Sequence, residues 1–166
     1  KDVSVVPVLG NAAHHRPELC QRAVHLVQRG QRAVAARTEG VSHRVLAERP
    51  PARPVTDLYD ILPHDHRLSY DMRHVLACLL DAGALDEFQP DVAKEMICGH
   101  AHIGGRPVAV IAKQRGVIKG QPDERPRFGG ILYTGSAEKV AYFIDTASRE
   151  RLPILFVQDV SGFMVG

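Results

Sequence analysis

The sequence predicts an α/β fold, and three observations predict it. Met96–Ile103 and Pro107–Lys113 are β-prone runs joined at Gly104-Gly105, the pattern of a tight hairpin. Gly135-Ser136 opens a helix whose apolar stripe is Ala137, Val140, Ala141, Ile144 and Ala147. Leu152–Val157 is a continuous apolar run entered through Pro153, which suits a strand buried on both faces. Helix, hairpin, loop, helix and buried strand, in that order, make an α/β layer in which the loop after the last strand faces a ligand crevice.

The remaining elements follow along the chain. Val3 to Leu9 is a short apolar stretch that ends in a polar turn at Gly10-Asn11. From Pro17 to Gly30 the spacing predicts a helix, with Leu19, Ala23, Leu26 and Val27 on one face. Its continuation over 31–49 has a thin apolar face. Pro50, Pro51 and Pro54 impose an extended linker that runs to about Pro63, because each proline also drives its predecessor out of the helical region. Asp71 is an N-cap for a helix carrying Val75, Leu76, Leu79 and Leu80, and Gly83 is its terminator. Leu85 to Gln89 reads as a short strand. Gln114–Tyr133, rich in Gly, Pro and charge, reads as a long loop, a feature often tied to function.

Composition excludes several classes. The chain has 166 residues, enough for one domain with a core or for pieces of two neighbours. Hydrophobic residues are 45% and charged residues 24%, a globular profile, and a net charge of only +2 calls for neither nucleic acid nor an anionic membrane. No apolar run reaches the length of a membrane span. Cys20, Cys78 and Cys98 are an odd set without paired spacing, which argues against a disulfide framework and for a reducing compartment such as the cytoplasm. They sit among apolar residues and read as inert buried thiols.

Some polar residues invite chemical readings. On an alternating strand Cys98, His100 and His102 share a face, and with His64 and His66 they could ligate zinc. The plainer reading, adopted here, is a strand with a polar side toward solvent or an interface, and no bound metal. Asp159 follows the buried strand and reads as a turn or N-cap residue rather than a base. Glu87 and Glu95 show no pairing suggestive of acid–base work. Lys119, Arg125 and Arg127 read as a solvated loop, and Gly116 to Gly120 lacks the spacing of a phosphate-binding loop.

A family resemblance covers roughly residues 57–166. Tyr70-Asp71-Met72-Arg73-His74-Val75, Glu87-Phe88, and Cys98 through Val108 resemble the opening of the second domain in β-type carboxyltransferase subunits. These belong to the biotin-dependent acyl-CoA carboxylases and decarboxylases of the propionyl-, methylcrotonyl- and glutaconyl-CoA kind. Gly135 to Ile144 resembles that family's helix. Leu152 to Gly166 resembles its strand and following glycine loop. The resemblance implies a crotonase-like fold (the ββα superhelix class), here partial. Residues 1–56 are then a remnant of the N-terminal acyl-CoA-binding domain plus linker, and 57–166 the first part of the C-terminal domain.

By the same resemblance the activity is carboxyl transfer between carboxybiotin and an acyl-CoA. Backbone amides of Ser161, Gly162, Phe163 and Gly166 line the biotin side. The biotin is carried on a partner domain, biotin carboxylase and carrier subunits are partners, and the carboxyltransferase subunits form a homo-oligomer. The location is cytoplasmic, or the mitochondrial matrix in a eukaryote. Alternatives are a decarboxylase subunit of the glutaconyl-CoA type, toward which the long loop and Gly129-Gly130-Ile131-Leu132-Tyr133 lean, and a non-catalytic piece offering a binding or oligomer surface. The terminal Gly162-Phe163-Met164-Val165-Gly166 leans toward the methylcrotonyl-CoA branch. The family's two main glycine-based oxyanion holes correspond to neither half of this sequence. The chain, starting at Lys1 without Met and stopping after its strongest strand signal, is therefore expected to be a fragment without a complete active site.

Overall fold

The computed structural model describes residues 4–6, 43–65, 68–119, 126–157, 159 and 162–163, with the backbone alone at 4–6 and 162–163. Its frame is a five-stranded sheet in the order β1-β8-β4-β3-β2. β1 is Ser4–Val6, β2 Leu85–Glu87, β3 Met96–Ile103, β4 Arg106–Lys113 and β8 Ile154–Val157. β1 runs parallel to β8 and β8 parallel to β4, while β3 and β2 are antiparallel neighbours on the other side.

The hairpin lies where its turn signal put it. Ile103 faces Arg106 across a two-residue turn, and Gly104 and Gly105 have φ of 58° and 73°. A turn with two left-handed residues matches the twist of its strands, and glycine takes that conformation without a Cβ clash. Asp81, itself buried, accepts the N–H groups of Gly104 at 2.9 Å and Gly105 at 2.7 Å. The turn is thereby fixed from outside the hairpin.

Alternation along the strands divides the core into two layers. Ile97, Ala101, Ile103, Val108, Val110, Ala112, Leu155 and Val157 meet Leu58, Met72, Val75, Leu76 and Leu80 on one face. That face is covered by α1 (Leu58–Ile61) and α2 (Met72–Ala77). Met96, Cys98, Ala109, Ile111 and Ile154 meet Phe143 and Ala147 of α3 (Thr134–Arg149) on the other. Phe143 is fully buried, and burying a side chain of that size stabilises by roughly 1.5–3 kcal/mol. Asp71 caps α2 as its type and position predict, accepting from the Arg73 N–H at 2.9 Å. The helix is shorter than expected; turns carry the chain through Leu80 to Gly83, whose φ is 63°.

Several expectations are corrected. The apolar stripe of α3 is rotated: Ala137 and Ala141 are exposed, Val140 and Ile144 are partly buried, and Ser136, Lys139, Phe143 and Ala147 face the sheet. Phe143 provides the larger surface, and Lys139 is tolerated there because its ammonium donates to the Val92 and Met96 carbonyls at 2.9 and 2.8 Å. The polar side of β3 is only partly open: Cys98 is buried under α3, while His100 and His102 are half-buried, and the His100 ring lies 5.2 Å from that of Phe143. Residues 43–49 are not helical. They form no regular element, and the Leu46 N–H donates to the Gly105 carbonyl at 2.8 Å. The expected helix at 17–30 lies outside the described residues.

The described parts of Gln114–Tyr133, residues 114–119 and 126–133, are more ordered than a loop. They contain β5 (Val117–Ile118) paired antiparallel with β6 (Arg127–Phe128), and β7 (Ile131–Leu132). β7 pairs in parallel with β9 (Gly162–Phe163), with Ile131 opposite Gly162 and Leu132 opposite Phe163. Among the described residues no helix is long and apolar enough to cross a membrane.

Candidate functional site

The neighbouring parallel strands β4 and β8 end side by side at Lys113 and Val157. In open α/β sheets ligands meet the carboxyl ends of such strands. Three parts of the chain converge there: the residues before α2, those after β4, and those after β8.

Tyr70 donates its hydroxyl to Asp159 Oδ2 at 2.9 Å, and Arg115 Nε lies 3.2 Å from the same oxygen. Burial, reinforced by the Asp159 charge, pushes the Tyr70 hydroxyl well above its ordinary value. Tyr70 is therefore a proton-holding donor at physiological pH and no base. Among the described residues the partners of Asp159 are these two side chains; the turn or N-cap role its position suggested concerns neighbours that lie outside the described residues. Next to it, Gln114 Oε1 accepts the Met72 N–H at 2.7 Å, and Gln114 Nε2 donates to Asp71 Oδ1 at 2.8 Å. Burial raises the Asp71 carboxyl, but the bonds from Gln114 and the Arg73 N–H outweigh it, and its pKa is lowered.

The chain leaving β4 returns to the same place. Gly130 donates its N–H to the Gln114 carbonyl at 3.0 Å. Its own carbonyl accepts from Lys113 Nζ at 2.9 Å. Lys113 is 2% exposed, and burial lowers its pKa. Gly129 allows this approach, because a Cβ there would lie 2.4 Å from the Gln114 carbonyl oxygen. Behind the turn, buried Glu95 accepts through Oε1 from Arg127 Nη1 at 2.9 Å and from Ser136 Oγ at 2.5 Å. Arg127 is thus an anchor of β6 rather than the solvated cation expected. Lys119 is exposed, and Arg125 lies outside the described residues.

Of the predicted biotin-side residues, Gly162 and Phe163 form β9, and Ser161 and Gly166 lie outside the described residues. Successive amides of a strand point to opposite sides. Pairing with β7 therefore engages one side of β9, and alternate N–H groups are directed away from it. Fixed main-chain donors of this kind can stabilise an oxygen that gains negative charge. Sequence reasoning did not find Tyr70, Glu95, Lys113 and Arg115 as partners of this region. A lysine closing an apolar strand and a glutamate at the entrance to another were the signals present.

The other candidates are placed elsewhere. Cys98 and Cys78 are buried free thiols. Burial pushes the Cys98 thiol up to about 11 and also raises Cys78, so neither is an activated nucleophile. His100 Nε2 lies 3.5 Å from Glu150. Among the described residues no group of three or more His, Cys, Asp or Glu side chains could hold a metal ion; His66 and Cys20 lie outside them. Glu87 is paired with Arg73 at 2.8 and 3.0 Å.

The family model described as "Carboxyl transferase domain" matches residues 22–166. The biotin-dependent 3-methylcrotonyl-coenzyme A carboxylase beta1 subunit of Mycobacterium tuberculosis is 32% identical over 116 residues, which are 70% of this chain and 19% of that protein. Glutaconyl-CoA decarboxylase subunit alpha of Acidaminococcus fermentans is 34% identical over 127 residues, 74% of this chain and 22% of that protein. The chain thus spans about a fifth of the length of these relatives. Among solved structures, a transcarboxylase 12S hexamer core superposes with a TM-score of 0.62 at 28% identity, covering 74% of this chain and 22% of that one. The beta subunit of geranyl-CoA carboxylase from P. aeruginosa superposes at 0.60 with 23% identity, over 87% of this chain and 24% of its own, and supports the crotonase-like fold alone. A family match over residues 22–166 and relatives above 30% identity lead to one conclusion: the chain belongs to the carboxyl transferase domain family.

Proposed function

We propose that this chain is part of a subunit that moves a carboxyl group between carboxybiotin and an acyl-CoA, with the main chain of Ser161, Gly162, Phe163 and Gly166 lining the biotin side. The observation that carries the reading is the pairing of β9 with β7 at the carboxyl ends of β4 and β8. That pairing fixes the Gly162–Phe163 backbone, with one of its two amides on the side away from β7. A ureido oxygen is a neutral acceptor, and uncharged N–H donors suit it. Gly162, with no side chain, lets a ligand come close to the backbone.

Carboxybiotin, when bound, supplies the carboxyl group and a ureido oxygen that gains negative charge as the N–C bond breaks. The residues of this chain would bind and orient. The β9 amide directed away from β7 would donate to that oxygen, worth about 10²–10³ in rate for one donor of this type. Tyr70 and Arg115 would fix Asp159 just before the loop, so the donors need not reorganise during the reaction. The acyl-CoA thioester would be held by groups outside the described residues.

The same reading takes in the rest of the assembly. A biotin carrier and biotin carboxylase are partners, and further carboxyltransferase subunits complete the oligomer. Residues 57–166 open the C-terminal domain, and 1–56 end the preceding one, with the prolines at 50, 51 and 54 between them. The two buried free thiols support a reducing compartment, the cytoplasm or the mitochondrial matrix. The length of the Gly116–Gly130 segment and the glutaconyl-CoA decarboxylase relative support a second reading, transfer out of the acyl-CoA.

The test uses the full-length subunit that contains this chain. Carboxyl-labelled biotin and a panel of propionyl-, 3-methylcrotonyl- and glutaconyl-CoA are supplied in both directions. Label is expected to move between biotin and one of these thioesters. A folded subunit that exchanges no label with any of them contradicts the reading. Net transfer only from thioester to biotin selects the decarboxylating direction.

A further inference from the structure

We infer that Lys113 is a positioning residue that sets β9 through β7, an inference that rests on the carboxyl-transfer reading for its functional half. Gly130 is gripped at both ends of its own backbone by Lys113, the last residue of the central strand, and Gln114, the residue that follows it. Its carbonyl accepts from Lys113 Nζ at 2.9 Å, and its N–H donates to the Gln114 carbonyl at 3.0 Å. Gly130 has φ of 84°, a conformation that suits glycine. The next two residues are β7, and β7 is the pairing partner of Gly162–Phe163. The position of Gly130 therefore sets where β9 can pair.

The geometry gives Lys113 this role rather than a solvent-facing one. Its side chain is 2% exposed at the last position of β4, on the face covered by α3. A charged group is costly to bury, and it persists where its hydrogen bond is needed. The far end of the same segment is held independently, by Arg127 on buried Glu95. Between these two anchors the chain from 127 to 132 has little freedom to shift. Loss of the Lys113 bond removes the side-chain tether at the end nearer the strand that is proposed to face biotin and leaves it to the main-chain bonds of Gly129 and Gly130. A displacement of about 1 Å in a reacting group can lower rate by about a hundredfold.

Hydrogen exchange, read by mass spectrometry on the full-length subunit and on its Lys113→Met and Lys113→Arg variants, tests this. Lys113→Met is expected to speed exchange at least fivefold in peptides covering 127–133 and 158–166, and to leave 96–103 unchanged. Lys113→Arg, which keeps a donor, is expected to restore much of the protection. In carboxyl transfer, Lys113→Met is expected to raise KM for biotin roughly tenfold or more, with KM for the acyl-CoA unchanged. Should Lys113→Met not fold, Lys113→Leu, which also lacks a donor, gives the same comparison. Unchanged exchange in 158–166 for a folded variant overturns the positioning role. Faster exchange there with unaltered biotin kinetics upholds the positioning and overturns the reading that β9 serves biotin.

Discussion

Tyr70 and Asp159, 89 residues apart in the chain, share a 2.9 Å hydrogen bond at the carboxyl end of the sheet. The bond ties the entrance of α2 to the segment that follows β8. Arg115 completes the contact from β4's side, so Asp159 joins its own segment to two other parts of the fold. Tyr70→Phe removes one donor and leaves the carboxylate with the arginine. A loss of about 1–2 kcal/mol is expected in denaturant unfolding. The difference from the parent also depends on pH. The folded Tyr70 holds its proton above the ordinary value of 10.0, so above that pH the unfolded state releases a proton that the folded state keeps. Stability from this group is complete below pH 10 and declines as pH rises beyond it. The gap between parent and Tyr70→Phe should therefore narrow in strongly alkaline solution.

The two turn glycines should respond differently to alanine. At Gly105 an added Cβ would sit 2.1 Å from the Leu46 carbonyl oxygen, whereas at Gly104 nothing lies within 4 Å. Gly104→Ala meets only the left-handed backbone cost of about 1–2 kcal/mol. Gly105→Ala also displaces the 43–50 segment and is expected to cost at least about 2 kcal/mol more, with overpacking as the cause. Thermal unfolding of the pair measures the difference.

Lys139 illustrates a buried cation held by carbonyls alone. Lys139→Met should destabilise by about 1–3 kcal/mol, because the Val92 and Met96 carbonyls lose their donor. Burial lowers the folded pKa below the ordinary 10.5. Between the two values the unfolded state binds more protons, so this group's contribution improves as pH rises toward 10.5. The advantage of the parent over Lys139→Met should accordingly widen over that window, which urea titrations at several alkaline pH values would record.

Glu95 joins the start of β3 to β6 and to the first turn of α3. Glu95→Gln removes its charge while Arg127 remains. A cost of about 2–4 kcal/mol is expected, below the roughly 3–5 kcal/mol of a fully buried pair because the Arg127 side chain is 35% exposed. Double-mutant comparison with Arg127→Met should recover part of it, since the second change removes the uncompensated cation.

Much of the fold was legible in local chemistry. The hairpin followed from Gly104-Gly105, the start of α2 from Asp71, and β8 from an unbroken apolar run; each signal is contained within a few residues. The stripe of α3 was misjudged by a rotation, since counting apolar residues could not show that Lys139 would find two carbonyls under the helix. The order within Gln114–Tyr133 was hidden for a related reason. Its short strands are held by Lys113, Glu95 and β9, all distant in sequence. For the site, the glycine loop after β8 was readable only through family resemblance, whereas Tyr70, Arg115 and Lys113 are linked to it by tertiary contacts alone.

The central claim is that a β9 amide faces a biotin ureido oxygen. It is tested most directly by hydrogen exchange of the full-length subunit with and without saturating biotin. The account predicts slower exchange in a peptide covering 158–166. Protection by biotin confined to other peptides, with 158–166 unchanged, would contradict it.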